Sequence, residues 1–128
     1  INSFASVSLE PPLVLWSLNR RASTLAGFRA CSHYAILVLG ADQRELAERF
    51  AGRGEQRWHG LALSQGLGQA PLIADCIASF ECRNRSQYDE GDHVIFVGEV
   101  QRCCRRHAGA PLLYHGGQFY AEHPLQSR

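Results

Sequence analysis

The chain has 128 residues, 45% of them apolar and 20% charged, with a formal net charge of +1. That balance suits one folded domain around a single core and excludes disordered, fibrous and collagen-like classes. Its 13 basic residues are all arginines and lie scattered, so no basic face calls for a nucleic-acid partner, and lysine Schiff-base chemistry is excluded.

Other bulk features narrow the class further. No apolar run has the length of a membrane span or the form of a signal peptide, so no membrane partner is expected. The chain lacks methionine and opens in mid-pattern at Ile1, which leads to the expectation that the domain, residues 1–128, is N-terminally incomplete. Cys31, Cys76, Cys82, Cys103 and Cys104 are odd in number and form no C-x-x-C pair. Free thiols in a reducing cytoplasm are the expected state. The six histidines lack zinc spacing with one another or with those cysteines, so no metal site is expected.

In chain order, residues 2–9 read as a strand. Asn2, Phe4, Ser6 and Ser8 fall on one face and Ser3, Ala5, Val7 and Leu9 on the other. Pro11-Pro12 forces an extended turn before the apolar strand Leu13–Leu18. Ser23 or Thr24 caps a short helix carrying Leu25 and Phe28. A strand over His33–Leu39 follows. Asp42 and Glu45 then suggest a capping box for a helix with the stripe Leu46, Ala47 and Phe50.

Glycine and polar residues from Arg53 to Pro71 predict a long loop. Ile77–Arg83 alternates with Ala78, Phe80 and Cys82 inward, and a turn near Asp89-Glu90-Gly91 leads into a strand over 93–102. Tyr114 and Phe119 flank His115-Gly116-Gly117-Gln118, where Gly-Gly suits a tight hairpin. About six strands with two helices predict a mainly β fold, a mostly antiparallel barrel with helical additions.

Several chemistries lack their markers. Gly66-Leu67-Gly68-Gln69-Ala70 imitates part of a dinucleotide fingerprint, but no strand leads into it and Pro71 follows, so it reads as a loop. Neither G-x-S-x-G nor a P-loop is present. Two segments remain. Asn2, Ser3, Ser6 and Ser8 offer an amide and hydroxyls for the ribityl chain and phosphate of a flavin, with Val7 to Leu9 supplying backbone contacts; a plain polar strand is the alternative. The helix start at Ser23-Thr24, with Arg20 or Arg21, favours phosphate. Glu90-Gly91-Asp92 reads first as a turn with His93 half-buried at a strand mouth; alternatively, His93 faces a nicotinamide.

Together these segments carry a resemblance. Asn2–Val14, the P-L-I element Pro71-Leu72-Ile73, the step Phe80-Glu81-Cys82, the strand Gly91–Val100, and Pro111–Tyr114 with Phe119-Tyr120 occur in the order found in short-chain flavin reductases. The chain resembles that family over nearly its whole length. The resemblance implies an FMN-binding split β-barrel with Greek-key connections and a few flanking helices, here lacking its N-terminal strands. It implies a cytoplasmic homodimer that oxidises NADH or NADPH, reduces FMN or FAD, and supplies a flavin-dependent monooxygenase. Carried over, Asn2, Ser3, Ser6, Val7, Ser8, Ser23 and Thr24 hold flavin, His93 faces nicotinamide, Asp92 shapes the turn and Tyr120 lies near the pocket. A flavin-retaining electron-transfer or sensor domain is the alternative function.

Overall fold

The computed structural model describes residues 1–126. In chain order the elements are β1 (Ala5–Leu9), β2 (Pro12–Asn19), α1 (Leu25–Ala30), β3 (His33–Val38), α2 (Arg44–Ala51), β4 (Leu63–Gln65), β5 (Pro71–Ile73), β6 (Ala78–Glu90), β7 (His93–Arg105), β8 (Leu112–His115) and β9 (Gln118–Ala121). Five strands form one sheet in the order β1-β2-β7-β6-β3, while β4-β5 and β8-β9 make two small two-stranded sheets. The mainly β expectation holds, and strands outnumber the expected six.

The hairpin β1-β2 is antiparallel, and β2 in turn pairs antiparallel with β7 from Leu13↔Glu99 to Asn19↔His93. The register puts Trp16 opposite Phe96, and their rings stack at 4.7 Å and 13°. Val14, Trp16, Tyr34, Ile36, Cys82, Val94 and Phe96 are the buried core. They come from alternate positions of β2, β3, β6 and β7, as a half-buried sheet requires. Phe28 of α1 meets Trp16 edge-on at 4.9 Å. Asn84 of β6 donates through Nδ2 to the carbonyls of Phe28 (2.7 Å) and Cys31 (3.0 Å), satisfying two acceptors at the end of α1.

Gly98, opposite Val14, owes its identity to space. A Cβ there would lie 2.7 Å from the Tyr34 hydroxyl and 2.8 Å from Cys82 Cβ. Burial pushes the Tyr34 hydroxyl up to about 12 and the Cys82 thiol up to about 11, so both stay neutral.

The chain divides into two compact units: residues 1–36, 65–71 and 80–103, and residues 37–64, 72–79 and the described residues from 104 on. The first holds the aromatic core. In the second, Phe50 packs edge-on against Trp58 at 4.8 Å, and Arg49 donates to the His59 carbonyl at 3.0 Å. The β8-β9 hairpin turns at Gly116 (φ +58°) and Gly117 (φ +79°), two left-handed positions that Gly-Gly fills without steric cost, as expected.

Several expectations change in detail. The first strand starts at Ala5 rather than residue 2, and a register shift between Ser6 and Ser8 leaves Val7 as an extra residue. The two-face alternation expected for 2–9 is therefore broken at Val7, because a bulge reverses which face the following side chain takes. Pro12 is already in β2, so the double proline lies in a tight hairpin rather than an extended turn. No Asp42-Glu45 box forms; the Gln43 side chain accepts from the Gly40 N–H at 2.9 Å instead. The long loop contains β4, two short 3-10 turns and the start of β5. Long β6 runs through Glu90, so the turn into β7 shrinks to Gly91-Asp92, with Gly91 at φ +58°.

Candidate functional site

One end of the five-stranded sheet gathers most of the chemistry. Asn19 closes β2 directly opposite His93, the first residue of β7. An asparagine at a strand end readily accepts from the backbone two residues on. Here Asn19 Oδ1 accepts the Arg21 N–H at 2.8 Å, and the Asn19 carbonyl accepts the Ala22 N–H at 3.0 Å. The neighbouring Arg20 N–H donates to the Asp92 carbonyl at 2.9 Å, tying this turn to the Gly91-Asp92 turn. Between the turns lies a recess of about 350 Å³ lined by Asn19, Arg20, Arg21 and Asp92. Two guanidinium-bearing residues against one carboxylate leave it positive, a place for an anion.

The two residues at the mouth of β7 are coupled. His93 Nδ1 lies 2.7 Å from Asp92 Oδ1. A carboxylate only accepts, so Nδ1 carries the proton of this contact, and in the neutral tautomer Nε2 is an acceptor. The imidazole beside Asp92 holds that exposed carboxyl below its ordinary range, by hydrogen bond first and charge second.

Ser23 is exposed and Thr24 half-buried, directly after the arginine turn. Thr24 occupies the N-cap of α1, as expected, but its side chain makes no capping hydrogen bond, so its hydroxyl is uncommitted. Helix α1 has only six residues, which leaves the arginines as the main attraction for an anion.

The β1 candidates separate along the strand. Asn2 is exposed and Ser3 Oγ accepts the Ser17 N–H at 2.8 Å, extending the β1-β2 pairing by a side chain. Ser3 is thus a strand-pairing device as well as a hydroxyl. Ser6 faces Val14 and Ser8 faces Leu13. Leu13 is six residues from Asn19 on β2, so Ser8 lies about 20 Å along the sheet from the His93 row. The bulge frees the Val7 backbone from the ladder on an edge strand, where main-chain groups are open to a ligand. Tyr120 is exposed on β9 in the second unit, its hydroxyl 3.2 Å from Gln118 Oε1.

The imitation fingerprint offers nothing to phosphate. The Gly66 N–H goes to the Ala70 carbonyl at 2.7 Å, and the Leu67 N–H to Glu81 Oε1 at 2.8 Å. Glu81 is buried and meets Arg102 in a two-pronged fork, Nε–Oε2 at 2.5 Å and Nη2–Oε1 at 2.7 Å. Among the described residues no group of three or more His, Cys, Asp or Glu is placed to hold a metal ion. Nor is any described helix long and apolar enough to cross a membrane.

Sequence reasoning missed Asn19. Its signal was an asparagine closing an apolar strand just before two arginines.

A family model described as "Flavin reductase like domain" matches residues 1–123. The chain belongs to the flavin reductase-like family. This flavin reductase-like domain is 45% identical over 119 residues to FMN reductase (NADH) SmoA of Agrobacterium fabrum, covering 93% of this chain and 67% of that protein. It is 37% identical over 120 residues to the reductase component of the flavin-dependent trigonelline monooxygenase of Acinetobacter baylyi, covering 93% of this chain but 38% of that longer protein. Among solved structures, the Streptomyces globisporus NADH:FAD oxidoreductase SgcE6, in complex with NAD and FAD fragments, superposes with a TM-score of 0.90 at 38% identity. That match covers 96% of this chain and 75% of the other.

Proposed function

We propose that residues 1–128 form an NAD(P)H:flavin oxidoreductase domain that passes reduced flavin to a flavin-dependent monooxygenase. The observation that carries this reading is the junction of the Asn19-Arg21 turn with Asp92-His93. A positive recess and an oriented imidazole stand side by side there. NADH-dependent reduction of FMN by the Agrobacterium relative supports the reaction class, and the monooxygenase reductase from Acinetobacter supports the partner.

When bound, flavin and nicotinamide supply the hydride exchange themselves, so the protein's task is orientation. The residues present fit that task. Arg20 and Arg21, with the hydroxyls of Ser23 and Thr24, would hold the flavin phosphate. Asn2 and Ser3, on the stretch that runs toward the Asn19 end of β2, would contact the polyol, whereas Ser6, Val7 and Ser8 lie farther along β1 from His93. His93 Nε2 would accept a hydrogen bond from the nicotinamide carboxamide, with Asp92 holding the tautomer through Nδ1. The exposed apolar side chains Ile1, Val7 and Leu9 support a homodimer that covers the β1 edge. Five free cysteines support a reducing, cytoplasmic setting.

The test mixes the purified protein with NADH or NADPH and catalytic FMN or FAD and follows nicotinamide absorbance. Many turnovers per flavin are expected. A tightly held, non-exchanging flavin without turnover of added flavin points instead to an electron-transfer domain and overturns the reading.

A further inference from the structure

The turn that carries Arg20 and Arg21 has a fixed shape because of one side chain. Asn19 Oδ1 accepts the Arg21 N–H at 2.8 Å, its own carbonyl accepts the Ala22 N–H at 3.0 Å, and its backbone pairs across to His93. The next residue, Arg20, is bound through its N–H to the Asp92 carbonyl at 2.9 Å. Asn19 is thus the one residue that shapes the arginine turn, lines the recess and sits opposite the imidazole.

We propose that Asn19 is a positioning residue for the flavin phosphate: by accepting the Arg21 N–H it aims both arginines into the recess beside Asp92. The inference rests on the flavin reductase reading above. It goes further by assigning the preference for a phosphorylated flavin to a residue that acts through the backbone. Asp92 also lines the recess, and its carboxylate is hydrogen-bonded to His93. Two guanidinium groups against that one carboxylate are the recess's attraction for phosphate.

The experiment compares kcat/KM for FMN with that for riboflavin, which lacks the phosphate, in wild type, Asn19→Ala and Asn19→Ser. Losing the turn acceptor should lower the FMN-to-riboflavin ratio about fivefold or more in Asn19→Ala. Asn19→Ser keeps a side-chain acceptor that forms the same kind of turn and should restore most of the ratio. A general loss of folded protein lowers both substrates together and does not move the ratio. An unchanged ratio in Asn19→Ala overturns the proposal, as does a fall that Asn19→Ser does not repair.

Two further arms separate the alternatives. If Arg20→Gln and Arg21→Gln leave the ratio at the wild-type value, the recess does not hold flavin phosphate, and the underlying site reading fails with the proposal. If Asn19→Ala instead shifts the NADPH-to-NADH ratio, the recess serves the nicotinamide 2′-phosphate and the flavin assignment falls.

Discussion

His93 illustrates how much one contact decides. The 2.7 Å approach of Nδ1 to the Asp92 carboxylate puts a proton on that nitrogen and leaves Nε2 as the acceptor of the neutral tautomer. A neutral hydrogen bond to a carboxamide is worth about 1 kcal/mol, or roughly fivefold in rate. His93→Ala should therefore lower kcat/KM for NADH by about fivefold while fluorescence titration finds FMN binding intact; wild-type kinetics with both nicotinamides would sink the role. Asp92→Ala should reproduce part of that loss, because the ring is then free to change tautomer and rotate. Gly98 makes a different residue-scale case, one of volume alone. The Tyr34 hydroxyl and Cys82 Cβ already occupy the space that a methyl would take, at 2.7 and 2.8 Å. Gly98→Ala should cost about 1–3 kcal/mol by overpacking, seen as a lower urea midpoint at unchanged slope.

At the scale of elements, the tip between β4 and β5 is held by a charge from another strand. Glu81 of β6 accepts the Leu67 N–H and meets the Arg102 fork of β7, while Gly68 at φ +60° fits over His33, whose Nδ1 would lie 2.5 Å from an added Cβ. The guanidinium of Arg102 holds the Glu81 carboxyl below its ordinary range, opposed by burial and helped by the Leu67 N–H. A carboxyl lowered by folding stabilises the native state above its unfolded value and loses that contribution as pH falls through the lowered one. Stability should thus drop on acidification below about pH 4. Glu81→Gln should be less stable at neutral pH and flatter in acid, as measured by urea midpoints across a pH series; parallel wild-type and variant curves would contradict the clamp. The sequence showed Glu81 only as part of a motif. Its partner lies 21 residues away, and a glutamate is almost never fully buried unless paired, so nothing local announced it. By contrast Gly91 and Gly116-Gly117 were legible as turn residues, because left-handed positions are written in the glycines that occupy them.

For the whole molecule, the central sheet was readable from apolar alternation, since Trp16, Val94 and Phe96 repeat at the strand period and are buried. Strand order was not, because pairing β2 with β7 joins residues about eighty positions apart and no local signal specifies it. The bulge at Val7 was hidden for a related reason: it exists only in the register with β2. That bulge lies on an edge strand whose apolar side chains are open, Leu9 being 91% and Val7 49% exposed. Open edges invite pairing with another chain, and bulges and charges are the usual protection. Here the strand carries a bulge but no charge between Ala5 and Leu9. In a two-fold dimer each substitution acts twice, so burial of Leu9 at about 1.5–3 kcal/mol per copy makes Leu9→Arg worth about 3–6 kcal/mol. That is roughly two to four orders of magnitude in the dimer dissociation constant. Sedimentation equilibrium should therefore find wild type dimeric and Leu9→Arg monomeric over the same micromolar range. A wild type that stays monomeric throughout that range, or a variant that dimerises equally well, would overturn the proposed pairing of two copies through the β1 edge.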